Sequence, residues 1–209
     1  MKYTDLQIEM LRRSVGDRLS EKRFAHTLGV EKMAAYIGQR VMPESVSELR
    51  AAALLHDISK EYSEAEYLEL MKRHNITLTE WEINEPALWH SMTAGGVIKE
   101  EFPEYATADV LSAAYNHTVG SEDMSVFDEI ILLSDYIEEG RRYPTCVGLR
   151  EKFLAELNSA ETVSEAIFAL HRAVAKSLDN NIKEFVSRGK SYHYRTELTR
   201  DAILKKIGR

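Results

Sequence analysis

An all-α fold in a single domain is predicted by three features of the chain. Helix-start signatures recur along it, apolar residues repeat at helical rather than alternating spacing, and helix breakers are few, with ten Gly and four Pro in 209 residues. In a capping box, a Ser or Thr oxygen accepts an orphan backbone N–H at the helix start, and Glu or Gln three residues on returns the bond. Such pairs stand at Thr4/Gln7, Ser63/Glu66, Thr79/Glu82 and Thr162/Glu165. At the first three, apolar residues flank the box and can staple across it: Tyr3 with Ile8, Tyr62 with Tyr67, and Leu78 with Ile83.

The Thr4 box opens a helix over 4–14, followed by one over 19–40 that ends before a loop at Pro43. Val46, Leu49, Ala53 and Leu54 mark a helix over 45–58, and the next two boxes open helices at 64–74 and 80–84. Pro86 and Pro103 punctuate helices at 87–101 and 104–117, and Gly120 precedes one at 124–139. A loop at Pro144 leads to 147–157, the last box opens 163–187, and a break around Gly189 leaves a final helix at 196–207. No repeat, low-complexity tract or linker divides the chain, so one domain is expected, with residues 1–182 as its body.

Hydrophobic residues make up 44% and charged residues 29%, an ordinary globular balance. The opening MKYTDLQIEM lacks a signal-peptide core, and runs such as Ile130 to Leu133 are too short to span a bilayer, so no membrane association is expected. The single cysteine, Cys146, fits a reducing, cytoplasmic setting and reads as a buried small side chain. A net charge of −7 argues against a nucleic-acid partner, yet residues 183–209 carry eight basic residues against three acidic ones. This basic segment is expected to pack on the same domain, either as a solvated helix or folded near an anionic ligand. A homodimer is left open.

In AAALLHDISK, His56 and Asp57 stand together at the end of an apolar helix. Neighbouring helical side chains point about 100° apart, so one ligand shared by both must sit at the helix end. Asp135 lies in IILLSDYI, His26 in KRFAHTLGVEKMA, His90 in PALWHSMTAGG and His117 in AAYNHTVG, each beside apolar residues. Burying such groups without partners costs several kcal/mol, roughly 2–7 for a neutral group and more for a charge, and a cation relieves that cost. Mixed His/Asp donors suit a first-row divalent metal that retains water, whereas a structural zinc site would normally use more cysteine.

The order of an early His, a His-Asp pair and a later Asp resembles the HD-domain phosphohydrolase superfamily. There the metal is held by the residues that match His26, His56, Asp57 and Asp135. Within it, RFAHTLGV, LLHDISK, LWHSMTAG, NHTVG and SDYIEEGR look like the bacterial HD-domain family that cleaves diadenosine tetraphosphate symmetrically into two ADP. The resemblance covers about the first two thirds of the chain. It implies a helical bundle of the HD type, a divalent metal that is iron by resemblance with manganese, magnesium or cobalt as alternatives, and one or two ions. It also implies a dinucleoside polyphosphate or other nucleotide as substrate. Glu139 departs from the family's usual Pro, and the tail SYHYRTELTRDAI diverges.

A metal lowers the pKa of its water from about 15.7 to about 7, which supplies a nucleophile without an activated Ser or Cys. The expected catalytic set is His26, His56, Asp57, Asp135 and Lys60. Arg23, Asp57, Lys60, His90, His117, Thr118 and Arg141 are expected at the phosphates, with His90 and His117 either donating there or holding a second metal. Arg23, Lys60 and Arg141 offer positive charge to phosphate oxygens. In GKSYHYR, His193 and Arg195 are expected to meet the nucleotide. His74 and His171 read as helix residues outside the site, and Trp81 and Trp89 as core or rim aromatics. The alternatives are another HD nucleotidase and a catalytically silent nucleotide-binding module.

Overall fold

The computed structural model describes residues 2–208; Met1 and Arg209, the outer ends of the two expected segments, lie outside them. Among the described residues there are eleven α-helices and no strand. They are α1 Asp5–Gly16, α2 Glu21–Val41, α3 Val46–Leu55, α4 Glu64–Arg73, α5 Glu80–Ile83, α6 Trp89–Glu101, α7 Ala108–Asn116, α8 Val126–Ile137, α9 Pro144–Ser159, α10 Val163–Ser187 and α11 Tyr194–Lys206. None is long and apolar enough to cross a membrane.

All four expected capping boxes form with both bonds present. A fifth, Ser125/Asp128, opens α8 with the shorter Asp in the position of Glu. Pro43, Pro86 and Pro103 each begin a short 3-10 turn. Pro144 corrects the expected loop. It is the first residue of α9, where its fixed φ suits the helix and its missing N–H would have had no intrahelical partner.

Two helices form the centre because most of their residues are apolar and buried. In α3, Leu49 and the whole run Ala51, Ala52, Ala53, Leu54 and Leu55 are buried, and in α8 so are Ile130, Ile131, Leu133 and Ile137. α2 packs against both, α7 lies between them, and α6 pairs with α7. Gly38 on α2 permits the close approach to α3, since a Cβ there would stand 2.5 Å from Leu49 Cδ1. The polar ends of α2, α3, α6, α7 and α8 are thereby brought together.

The basic segment folds onto this core through α11, which lies against α10. Lys206 reaches fully buried Glu129 of α8 at 2.9 Å and the Met124 carbonyl at 2.8 Å. His171 of α10 meets the other Glu129 oxygen at 2.6 Å. Cys146 is buried and free.

Gly120, just beyond α7, has φ +72°, and a Cβ on it would stand 2.5 Å from Thr199 of α11. Gly120→Ala is therefore expected to lower stability by about 1–3 kcal/mol, since both the left-handed backbone and the contact oppose a side chain. Urea denaturation with an unchanged m-value is the measurement.

Candidate active site

His56 caps α3 and Asp57 begins the turn that follows, so the pair projects from the helix end rather than from its flank. His117 caps α7 in the same way, and His90 is the second residue of α6. Each of these imidazoles has Nδ1 against the carbonyl three residues earlier: His56 on Ala53 at 2.6 Å, His90 on Ala87 at 2.7 Å, and His117 on Ala114 at 2.8 Å. A carbonyl can only accept, so Nδ1 carries a proton and the neutral ring keeps its lone pair on Nε2. All three Nε2 atoms face Asp57. His56 Nε2 is 3.6 Å from Asp57 Oδ2, while His90 and His117 Nε2 are 3.3 and 3.4 Å from Oδ1 and 3.1 Å from each other.

His26 enters from the second turn of α2, with Nε2 at 3.0 Å from Asp135 Oδ1 near the end of α8. Despite that distance, His26 Nε2 makes no hydrogen bond, and His56 Nε2 and Asp57 Oδ1 are buried without one as well. Donor atoms that crowd together without bonding each other converge on a point between them. Ligand atoms of His26, His56 and Asp135 lie within 4.8 Å of one another, as do those of His56, Asp57 and His117. The two groups share His56. Lone pairs and carboxylates this close repel unless a cation lies among them, so the donor set fits a divalent metal.

The electrostatics agree. Burial pushes His56 down to about 4 and His90 well below its usual value, which keeps both imidazoles neutral as ligands must be. Burial likewise opposes a charge on His26, yet the Asp135 and Glu138 carboxylates raise it to about 9, the response of a site that draws positive charge.

Three cations edge the cluster. Arg23 Nη1 donates to Asp57 Oδ2 at 2.8 Å, and Arg141 Nη2 donates to Asp135 Oδ1 at 2.6 Å. Lys60 Nζ lies 3.0 Å from both nitrogens of the His90 ring, and burial lowers its pKa. The side chains of His90 and His117 are 1% exposed, whereas those of Asp135, Arg23 and Arg141 are 20%, 28% and 36% exposed, so the cluster opens to solvent between α2 and the end of α8.

Most of the expected residues are brought together: His26, His56, Asp57, Lys60, His90, His117, Asp135, Arg23 and Arg141. Thr118 lies beside them and donates to Ser91 Oγ at 3.0 Å. His193 and Arg195 do not join the cluster. His193 is the N-cap of α11, accepting the Arg195 N–H at 3.1 Å, and its Nε2 is 3.4 Å from Glu82. Arg195 stacks over Tyr115 and donates to Asn116 Oδ1 and the Gly120 carbonyl. Their polar groups are taken up in tying α11 to the bundle. His74 pairs with Glu100 at 2.9 Å, and Glu139 forms an exposed pair with Lys32. Trp89 is core, its Nε1–H bonded to the Glu82 carbonyl at 2.7 Å. Glu138, which sequence reasoning passed over, is buried against His26.

A helical bundle that gathers His, His-Asp and Asp at one point is the class of hydrolase built to hold a divalent metal. The chain belongs to the HD-domain family: the model of that domain matches residues 23–140, which take in His26, His56, Asp57, His90, His117 and Asp135. Over 146 residues, 70% of this chain and 77% of the relative, it is 29% identical to the symmetrical bis(5'-nucleosyl)-tetraphosphatase of Bacillus subtilis strain 168. Over 166 residues, 77% of this chain and 81% of the relative, it is 26% identical to the protein of the same name from Staphylococcus aureus. A solved structure of a predicted HD superfamily hydrolase involved in NAD metabolism, from Clostridium acetobutylicum, matches with a TM-score of 0.80 and 26% identity, over 95% of this chain and 97% of that one.

Proposed function

We propose that this HD-domain hydrolase cleaves diadenosine tetraphosphate symmetrically, with one water consumed and two ADP released. The observation that carries the reading is the set of unsatisfied donor atoms with two arginines at its open side. His26, His56, Asp57 and Asp135 would hold one metal, and Asp57 Oδ1 with His90 and His117 offers a second position. When bound, the metal supplies a water made acidic enough to act as nucleophile near neutral pH and withdraws charge from a phosphoryl oxygen.

The chain's own groups handle the polyphosphate. Arg23 and Arg141 each spend one N–H on a carboxylate and keep others for phosphate oxygens, so the carboxylates fix the guanidinium planes before substrate arrives. Lys60 adds a buried positive charge beside His90. ADP leaves as a phosphate anion, which these cations stabilise directly. The names of the curated relatives support the symmetrical tetraphosphatase reading.

The solved relative's link to NAD metabolism favours a second reading, in which the same centre hydrolyses another nucleotide. A module that binds nucleotide without turnover is the non-enzymatic alternative. Protein purified without oxygen, analysed for metal and incubated with diadenosine tetraphosphate separates the three. ADP as sole product supports the proposal, and AMP with ATP rejects symmetrical cleavage. No turnover, with hydrolysis of another nucleotide in a panel that includes NAD, moves the assignment to that substrate, and binding without any hydrolysis leaves the silent module.

Arg141→Ala is expected to cost about 1.5–3 kcal/mol of phosphate binding, read as a raised KM, with metal content retained. Loss of the metal would instead assign Arg141 to holding Asp135.

A further inference from the structure

Three of the four clustered imidazoles are oriented by carbonyls of their own helix ends; His26 is the exception. It lies inside the 21-residue α2, where the preceding carbonyls are engaged in the helix ladder. Its Nδ1–H donates to Glu138 Oε1 at 3.2 Å, a carboxylate 112 residues away. Glu138 is 3% exposed, directly follows α8, and its second oxygen accepts the Gly140 N–H. Arg141 approaches it no closer than 4.0 Å, so His26 is the nearest basic side chain to this buried carboxylate. Its room comes from Gly29, almost one helical turn after His26: a Cβ there would stand 2.4 Å from Glu138 Oε2. Arg150 of α9 fixes the segment from the other side, donating to the carbonyls of Ile137 and Glu138 at 3.0 and 2.7 Å.

We infer that Glu138, given space by Gly29, is the positioning residue for His26: it holds the imidazole in the form that presents Nε2 to the cluster and raises the site's affinity for a divalent cation. A carboxylate partner makes an imidazole a more basic ligand than a carbonyl does, and loss of such partners typically weakens metal binding about 10- to 100-fold. The inference rests on His26 being a metal ligand, so the test separates the two.

The experiment uses the full chain with Zn2+ as probe. Affinity is read by chelator competition, and the His26 tautomer from imidazole 15N–1H spectra of the zinc-loaded protein. Glu138→Ala is expected to weaken Zn2+ about 10- to 100-fold, Glu138→Gln, which still offers an acceptor, less than Ala, and Gly29→Ala by displacing the carboxylate without altering either partner. The Nδ1–H signal of His26 shifts or is lost in Glu138→Ala and is retained in Glu138→Gln. Should Glu138→Ala fail to fold, Glu138→Gln and Gly29→Ala carry the test. If His26→Ala loses Zn2+ while the Glu138 and Gly29 variants bind within about twofold of wild type, the inference on Glu138 falls and the metal site stands. If His26→Ala binds Zn2+ as tightly as wild type, both fall.

Discussion

Asp57→Ala is expected to empty the cluster of metal and reduce hydrolysis to the uncatalysed background. This carboxylate is the hub of the arrangement: Oδ2 faces His56 and receives the Arg23 bond, and Oδ1 faces His90 and His117. Without it, three buried imidazoles, Arg23 and Lys60 face one another with only Asp135 and Glu138 as counter-charge, and a divalent ion entering there gains far less. Metal analysis after gel filtration, with turnover measured at excess metal, is the check. A metal-loaded, fully active Asp57→Ala protein would remove the basis for the proposed mechanism. His74→Ala is the control: His74 bonds Glu100 away from the cluster, and its loss should leave metal and turnover near normal.

Glu129→Ala is expected to be the most damaging change outside the site, at about 3–5 kcal/mol, because it breaks a buried ionic group by removing one member. The fully buried Glu129 joins α8 to α10 through His171 and to α11 through Lys206. Without the carboxylate, His171 Nδ1 loses its acceptor and Lys206 keeps the Met124 carbonyl. Lys206→Met should cost less, since that side chain is already 34% exposed and Glu129 keeps His171. Denaturant titration of both variants gives the order. Equal stability of Glu129→Ala and the parent would mean that α11 is held by its apolar contacts alone.

The helices were legible because capping is local: each box is read from four consecutive residues and forms with both bonds. The Ser125/Asp128 box escaped because Asp is not the usual partner, and Pro144 was misread because a helix breaker and a helix starter are the same residue in different positions. His26, His56, Asp57, His90, His117 and Asp135 stood out as polar groups in apolar runs, a contrast that burial creates in the sequence itself. Glu138 offers no such contrast, since in YIEEGR it stands beside exposed Glu139 and reads as solvated surface; only the docking of α2 against the end of α8 buries it. Lys206 and Glu129 were hidden for the same reason, as was the capture of His193 and Arg195 by α5 and the end of α7. Partners some 80 to 110 residues apart leave no periodic mark on the chain.

The two ways of orienting imidazoles differ in how much of the fold each one needs. His56, His90 and His117 take their orientation from carbonyls three residues away, so each is preset once its own helix end forms. His26 takes its orientation from Glu138, just beyond α8, so it is set only where α2 and the end of α8 are in contact. The proposed ligand set is therefore complete only where α2 and α8 have met, and a cation bound there would act as a thermodynamic witness of folding. A metal at a hundred times its dissociation constant adds about 2.7 kcal/mol to stability, all of it drawn from the state in which α2 and α8 have met.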